Sequence, residues 1–126
     1  MKRSKGQSLV EFALVMPLLM LILIGIIEFG FMFSGYLTLT NASREAARVI
    51  SLGGTYIDAE ERIEGVAGLL NTDEITLLTS VDVTTLERGD SITVTLKYPY
   101  HFLTPFLTPL FGGELELESS ATLRVE

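Results

Sequence analysis

The chain of 126 residues contains no cysteine, no tryptophan and a single histidine, His101. The lack of cysteine excludes disulfides and thiolate metal sites, but it leaves the cellular compartment open, because an exported domain need not carry a disulfide. No serine or cysteine motif accompanies His101, and the sequence has no phosphate-binding loop, so few groups are available for catalysis. We therefore expect no enzymatic activity, no cofactor and no metal site.

Basic residues are also scarce: the chain has nine of them and sixteen acidic residues. Lys2, Arg3 and Lys5 precede Gly6, whereas residues 34–126 contain six basic and fourteen acidic residues, a net charge of −8. This acidic region argues against nucleic-acid binding, which needs a clustered basic face. Positive charge before an apolar segment is typical of the cytoplasmic side of a membrane, so we expect the acidic region to lie outside.

The longest apolar segment directly follows these basic residues. Residues 12–27 are uncharged and lie between Glu11 and Glu28, and the wider apolar stretch of residues 9–33 exceeds the roughly 20 residues that span a bilayer. No convincing small-x-small cleavage site follows it, which argues against a secretory signal peptide. The sequence predicts a basic cytoplasmic leader at residues 1–6, a transmembrane helix at 7–33 and one extracytoplasmic domain at 34–126.

The helix is expected to continue beyond the membrane to about residue 52, where Gly53 and Gly54 end it. Pro17 removes one backbone hydrogen bond and is expected to bend or locally melt the helix within the membrane. Past the membrane, one stripe at helical spacing predicts the face that packs on the domain: Tyr36, Leu39, Ser43, Ala46, Ala47 and Ile50. The opposite, polar face contains Asn41, Arg44, Glu45, Arg48 and Ser51, and we expect Arg44, Glu45 and Arg48 to form solvated pairs along it.

The rest of the chain predicts one short helix and three strands. A capping-box-like start at Asp58 and Glu61 indicates a helix at about residues 58–70. Alternation of apolar and polar residues predicts strands at about 75–85, 91–98 and 114–125. The expected fold class is α+β, in which the long helix packs against the dry face of a three-stranded antiparallel sheet.

Residues 6–30 (GQSLVEFALVMPLLMLILIGIIEFG) carry a family resemblance. They resemble the TadE-like minor pilins and pseudopilins of tight-adherence (Flp, type IVc) pilus systems, and residues 41–48 (NASREAAR) resemble the helical block that follows. The resemblance implies a pilin-like fold and a single-pass protein of the bacterial inner membrane that a prepilin peptidase processes. Its partners would be other pilins or pseudopilins and the pilus assembly platform, in the service of adhesion, biofilm formation or secretion.

The same resemblance assigns roles to the N-terminal residues. Gly6 would carry the scissile carbonyl to Gln7, and Glu11, followed by Phe12, would then pair with the freed α-amine of Gln7 and set the register between helices. The alternative is a glycine in a flexible stub and an acid that reaches headgroups or water. A charge kept at this depth is costly, about 2.5–3.5 kcal/mol for Asp, Lys or Arg at a helix centre and less near its ends, which favours pairing.

A second group of residues gives a possible interface. Glu28 lies near the outer membrane boundary and is either an ordinary interfacial residue or an assembly contact. Tyr100, Phe102 and Phe106 belong to a segment that also includes His101, Phe111, Gly112 and Gly113. This segment is either an apolar loop packed on the sheet or an exposed aromatic docking patch. We assign Glu114, Glu116 and Glu118 to the wet face of a strand rather than to a cation site.

Two other functions remain open at this stage. The first is an uncleaved single-pass anchor that displays a small protein-interaction domain. The second is a membrane-tethered enzyme, for which the sequence offers no catalytic triad, metal cluster or phosphate loop.

Overall fold

One helix of 50 residues, α1 (Lys2–Ser51), forms the axis of the molecule. The computed structural model describes residues 2–68, 70–110, 112–113 and 115–126. After α1 come the helix α2 (Tyr56–Val66), the strands β1 (Thr76–Thr79) and β2 (Ser91–Tyr100), the four-residue helix α3 (Leu107–Leu110) and the strand β3 (Leu115–Arg124). Two single 3-10 turns lie at Thr72–Glu74 and Val83–Thr85. The predicted α+β class, with a long helix and a three-stranded antiparallel sheet, is confirmed.

α1 is helical without interruption from the leader to Ser51, including at Pro17. Local melting at Pro17 is therefore not observed, because leucine, methionine and alanine around it are strong helix formers and only one backbone bond is lost. A bend at Pro17 stays a prediction. At about 1.5 Å per residue the helix is about 75 Å long, far more than a bilayer thickness.

The C-terminal half of α1 packs on the sheet and on α2 through small side chains. Of the predicted stripe, Leu39, Ala46, Ala47 and Ile50 are buried, and Ala42, which the stripe did not include, is buried beside them. Alanines let the sheet approach the helix closely, so β2 can bury its larger side chains against the helix backbone.

Two residues of the predicted faces lie elsewhere. Tyr36 was expected in the core but is 42% exposed. Ser51 was expected on the polar face but is buried, because the C-terminal end of the chain covers it: the amide of Glu126 donates to the Ser51 carbonyl at 3.0 Å. The Ser51 hydroxyl donates to the carbonyl of Arg48 at 2.8 Å, so its burial leaves it satisfied.

The N-cap of α2 lies three residues before the cap predicted at Asp58. Thr55 is the N-cap: its hydroxyl oxygen accepts from the Asp58 amide at 3.2 Å, and the Asp58 carboxylate accepts from the Thr55 amide at 2.8 Å. These bonds lower the pKa of Asp58. Asp58 is thus the N3 residue of the capping box, whereas the sequence had placed it at the N-cap. The helix ends at Val66, short of residue 70, because Gly68 adopts a positive φ of 60°. Leu69, inside the predicted range, lies outside the described residues.

The sheet has the order β1-β2-β3, with both pairs antiparallel. β2 lies in the centre and buries alternate residues: Ile92, Val94, Leu96, Tyr98 and Tyr100. The register places Leu77 opposite Leu96 in β1, and Tyr98 opposite Leu117 in β3. The predicted strand at 91–98 is two residues too short, and the predicted strand at 114–125 corresponds to 115–124, with Glu114 outside the described residues.

β1 is much shorter than the predicted strand at 75–85. After Thr79 the chain turns, and Asp82 caps the 3-10 turn by accepting from the amide of Thr84 at 2.9 Å and from its hydroxyl at 2.7 Å. Val81, which the alternation over 75–85 would place on the dry face with Leu77, is 45% exposed. Aspartate competes for backbone amides in this way, and here its local bonds replaced the ladder.

The domain lies alongside α1 with a defined orientation. The C-terminal end of β3 and the Gly89 turn lie near Ser51, whereas the C-terminal end of β2 reaches Glu28. The domain therefore covers α1 from Ser51 back to Glu28, which leaves the preceding turns of the apolar helix uncovered.

Candidate functional site

The first candidate site is the N-terminal end of the apolar helix. Gly6, Gln7, Glu11 and Phe12 all lie on α1 and are exposed. The side-chain amide of Gln7 donates to Glu11 Oε1 at 3.3 Å, one turn away. Within the described chain this long bond is the only one that Glu11 accepts. The structure thus brings Gln7 and Glu11 together, but it offers the Glu11 carboxylate no cation.

Gly6 has open space around it. A Cβ atom placed on Gly6 would meet nothing within 4 Å, and its φ is not positive. The fold described here therefore does not require a glycine at this position.

The second candidate site surrounds Glu28, which is only 5% exposed. The Tyr100 hydroxyl donates to Glu28 Oε1 at 3.0 Å, and the backbone amide of Leu103 donates to the same oxygen at 2.9 Å. The Thr104 hydroxyl donates to Oε2 at 3.4 Å. A buried carboxylate is stable only when donors replace the water that it has lost, and these groups from the end of β2 and the loop after it do so.

Tyr100 belongs to the core as much as to this site. It is buried at the end of β2, and the ring of Phe102 packs edge-on against it with the centroids 5.4 Å apart. Burial raises the pKa of Tyr100 to about 12, and the hydrogen bond to Glu28 and the charge of that carboxylate act in the same direction. The hydroxyl therefore stays protonated at physiological pH and remains a donor to Glu28.

We name residues 101–110 the capping loop, because it supplies the donors from Leu103 and Thr104. The loop reaches one turn further into the apolar helix than Glu28. Its side chains and those of α1 enclose a cavity of about 180 Å³, whose lining includes Gly25, Glu28, Phe29, Met32, Phe102 and Leu107. Other apolar side chains of the loop point outward: Leu103 is 65%, Phe106 49% and Leu110 75% exposed.

Of the predicted interface residues, Glu28, Tyr100 and Phe102 are thus brought together, and Phe106 lies in the same loop. Phe102 packs against Tyr100 whereas Phe106 is exposed, and a docking role for this segment stays a prediction. Phe111 lies outside the described residues. Sequence reasoning missed the roles of Leu103 and Thr104. The sequence did offer one signal. It has one acidic residue, Glu28, at the C-terminal end of the uncharged run of α1, and a distant segment, residues 102–113, without any charged residue.

Some of the other ionisable side chains lie in pairs at the surface. His101 Nε2 lies 3.1 Å from a carboxylate oxygen of Glu74. Lys97 lies 3.7 Å from Glu116 and 3.9 Å from Glu118 across the outer face of the sheet, as expected for a wet strand face.

On the polar face of α1, the predicted pairs with Arg44 and Arg48 give way to a different partner. Glu45 pairs with Arg62 of α2 at 3.0 Å. This bond joins the two helices, whereas the predicted pairs would have stayed within α1.

The comparison with known families bears on the first site. The family described as TadE-like protein matches residues 6–48. This segment is TadE-like. The match begins at Gly6, contains Glu11 and Glu28, and ends within α1, so α2, the sheet and the capping loop lie beyond it. No curated protein and no solved structure matches the chain.

The TadE-like segment lies within the one helix of the described residues, Arg3–Ser51, that is long and apolar enough to cross a membrane, as judged by length and composition. Together, the family match and this helix indicate an N-terminal membrane-anchoring segment that is similar to TadE-like proteins.

Proposed function

We propose that this protein is a minor pilin or pseudopilin of a Tad/Flp pilus assembly system, with no enzymatic activity of its own. In this proposal α1 spans the bacterial cytoplasmic membrane once, with the basic leader inside and the acidic domain outside. The observation that carries the proposal is the TadE-like match over an apolar helix that begins with Glu11, a carboxylate that accepts only a long bond from Gln7 within the described chain. Its partners are a prepilin peptidase, other pilins and the assembly platform, and it serves adhesion, biofilm formation or secretion.

Processing between Gly6 and Gln7 is supported by the surroundings of Gly6. Because the fold leaves open space at this position, the glycine is better explained by something outside the chain. A peptidase that must bring its catalytic groups close to the scissile peptide benefits from a residue without a side chain.

Assembly through Glu11 is supported by what this carboxylate lacks. Its one hydrogen bond within the described chain comes from a neutral amide at 3.3 Å, a weak partner for a charge at the edge of a bilayer. Cleavage before Gln7 creates a cationic α-amine one helical turn away. Pairing the two charges, in the same or a neighbouring subunit, recovers much of the cost of removing each from water and fixes the register of the packed helices.

The alternative is an uncleaved single-pass anchor that displays a small interaction domain. One observation favours it: α1 already begins at Lys2, so the peptide between Gly6 and Gln7 is helical rather than extended. Processing then requires the first turn to unwind, which is inexpensive for an exposed helix end.

The mass of the membrane-extracted chain separates the two functions. In a host with an active prepilin peptidase, we expect a chain that begins at Gln7. A Gly6→Val variant is the matched control, and it should retain residues 1–6, because the added side chain obstructs the peptidase without any clash in the fold. A wild-type chain that still begins at Met1 in that host would support the uncleaved anchor.

A further inference from the structure

Glu28 lies at a depth where a bilayer holds little water. The exposed apolar surface of α1 starts at Leu9, and the uncharged run starts at Phe12. A hydrocarbon core of about 30 Å corresponds to about 20 residues of helix, so it ends between about residues 28 and 31. Glu28 is thus at or inside the outer edge of the hydrocarbon, and any tilt of the helix would move it deeper.

The helix itself continues to present apolar side chains beyond Glu28. Phe29, Phe31 and Phe33 are each more than half exposed. Because Glu28 is covered by the capping loop, its charge does not interrupt this surface. The apolar exterior of α1 therefore runs without an exposed charge past the level of the loop.

The capping loop occupies the same level and has the same character. No residue from Phe102 to Gly113 is charged. Leu107 lines the cavity beside Gly25, one turn closer to the membrane centre than Glu28. Leu103, Phe106 and Leu110 are exposed, and the amide of Leu103 is bonded to Glu28 of α1. Water-facing loops seldom gather three large exposed apolar residues without charge, and such a patch marks a contact surface.

We infer that the capping loop dips into the outer leaflet of the membrane, where Leu103, Phe106 and Leu110 contact acyl chains. The Tyr100 hydroxyl and the Leu103 and Thr104 donors satisfy Glu28 inside this apolar layer. The protein would then touch the bilayer at two places, α1 and the loop, so that the acidic domain is held against the membrane surface in a fixed orientation.

Lipid is the occupant that the geometry favours over a second protein. The loop that carries these exposed residues is bonded to Glu28 of the membrane-anchoring helix through the Leu103 amide and the Thr104 hydroxyl. The bond from the Leu103 amide to Glu28 fixes the loop at that depth. From Phe102 to Leu110 the loop has no charged residue that would need water or an ion-pair partner, and His101, at its start, pairs with Glu74. The inference depends on the membrane-anchoring helix alone, so it stands or falls independently of pilus assembly.

Depth-dependent fluorescence quenching tests the inference on the full chain. Because the sequence has no cysteine, Leu110→Cys and Leu52→Cys each give one labelling site on a highly exposed leucine, 75% and 62% exposed respectively. Leu52 follows the end of α1, about 36 Å along the helix from Glu28, and serves as the matched control. Ile22→Cys marks the membrane interior, and Phe106→Cys repeats the test within the loop. Each labelled chain is reconstituted at one copy per nanodisc of phosphatidylcholine and phosphatidylglycerol.

Lipids that carry a nitroxide on the upper acyl chain should quench the Leu110 and Phe106 labels several times more strongly than the Leu52 label. Lipids with a deep nitroxide should quench the Ile22 label most. Circular dichroism checks that each variant keeps its fold. Labels at Leu110 and Phe106 that are no better quenched than Leu52 would overturn the inference. An emission shift that appears only at several copies per disc, without lipid quenching, would also overturn it and assign the loop to contacts between copies.

Discussion

Glu11 and Glu28, the two carboxylates at either end of the uncharged run of α1, have opposite surroundings. Glu28 is buried and accepts hydrogen bonds from Tyr100, Leu103 and Thr104 of its own chain. Glu11 is exposed and has one long bond from the Gln7 amide. The same chemical group in the same helix is thus satisfied at one end by the fold and left at the other for a partner. Glu28 is thus satisfied within the folded monomer, whereas in the proposed function Glu11 serves assembly.

The largest effect that would sharpen this comparison is the loss of pili in a Glu11→Gln variant. The change keeps the size of the side chain but removes the charge that would pair with the α-amine of Gln7. We expect the variant to be membrane-inserted and folded but to give no pili, as counted by electron microscopy. The matched control is Glu118→Gln on the exposed face of β3, which should leave pili unchanged. A piliated Glu11→Gln strain would break the comparison.

Removing Glu28 should instead destabilise the domain. In Glu28→Ala the Tyr100 hydroxyl and the Leu103 amide lose their common acceptor, and each buried donor left unpaired costs about 1–3 kcal/mol. Glu28→Gln keeps an acceptor oxygen and should cost less. Denaturant unfolding in detergent micelles, followed by tyrosine fluorescence, measures both. Equal stability of Glu28→Ala and the wild type would show that the contacts of Glu28 carry no weight in the fold.

The pH dependence of the same contact gives a smaller effect. Because burial raises the pKa of Tyr100 to about 12, the folded chain holds the phenolic proton more tightly than the unfolded chain, whose tyrosines ionise near about 10. The resulting stabilisation is complete below pH 10 and is lost as the pH rises from about 10 towards about 12. Ultraviolet absorbance should show one tyrosine that ionises near the top of this range, and Tyr100→Phe should remove it. If all four tyrosines ionise near 10, the hydroxyl is not held as described.

The smallest effect concerns the third glutamate of α1, Glu45, which pairs with Arg62 in partly solvated surroundings. Exposed ion pairs contribute about 0.2–1 kcal/mol, so Glu45→Gln should lower the free energy of unfolding by less than Glu28→Ala does. Salt should screen the wild-type pair and narrow the difference. A loss as large as that of Glu28→Ala would show that burial does not distinguish the two sites.

Much of the fold could be predicted because its signals are periodic. The helical stripe from Leu39 to Ile50 and the alternation of β2 both predict which side of a segment is buried in the core, and the structure confirms both. Local capping was harder, because Thr55 and Asp58 are both good N-caps and the sequence does not rank them. The end of β1 was predicted wrongly for a related reason. The side chain of Asp82 accepts a bond from the backbone amide of Thr84, where the predicted strand would have continued its pairing with β2.

The Glu28 site could not be predicted beyond the names of its residues. Its donors lie more than 70 positions away along the chain, and the Leu103 donor is a backbone amide that no side-chain pattern reveals. Only the packing of β2 on α1 brings them together. The N-terminal site was accessible to sequence reasoning because Gly6, Gln7 and Glu11 lie within two turns of one helix.

The central claim is that Glu28 finds its partners within the chain and Glu11 only at the processed terminus. Solid-state NMR on assembled material with ¹⁵N-labelled glutamine and ¹³C-labelled glutamate tests both halves in one sample. The account predicts an α-amino nitrogen at Gln7 within about 4 Å of the Glu11 carboxylate, while Glu28 shows no contact with that amine. An amide signal in place of an amine at Gln7, or an amine that makes no contact with Glu11, would contradict it.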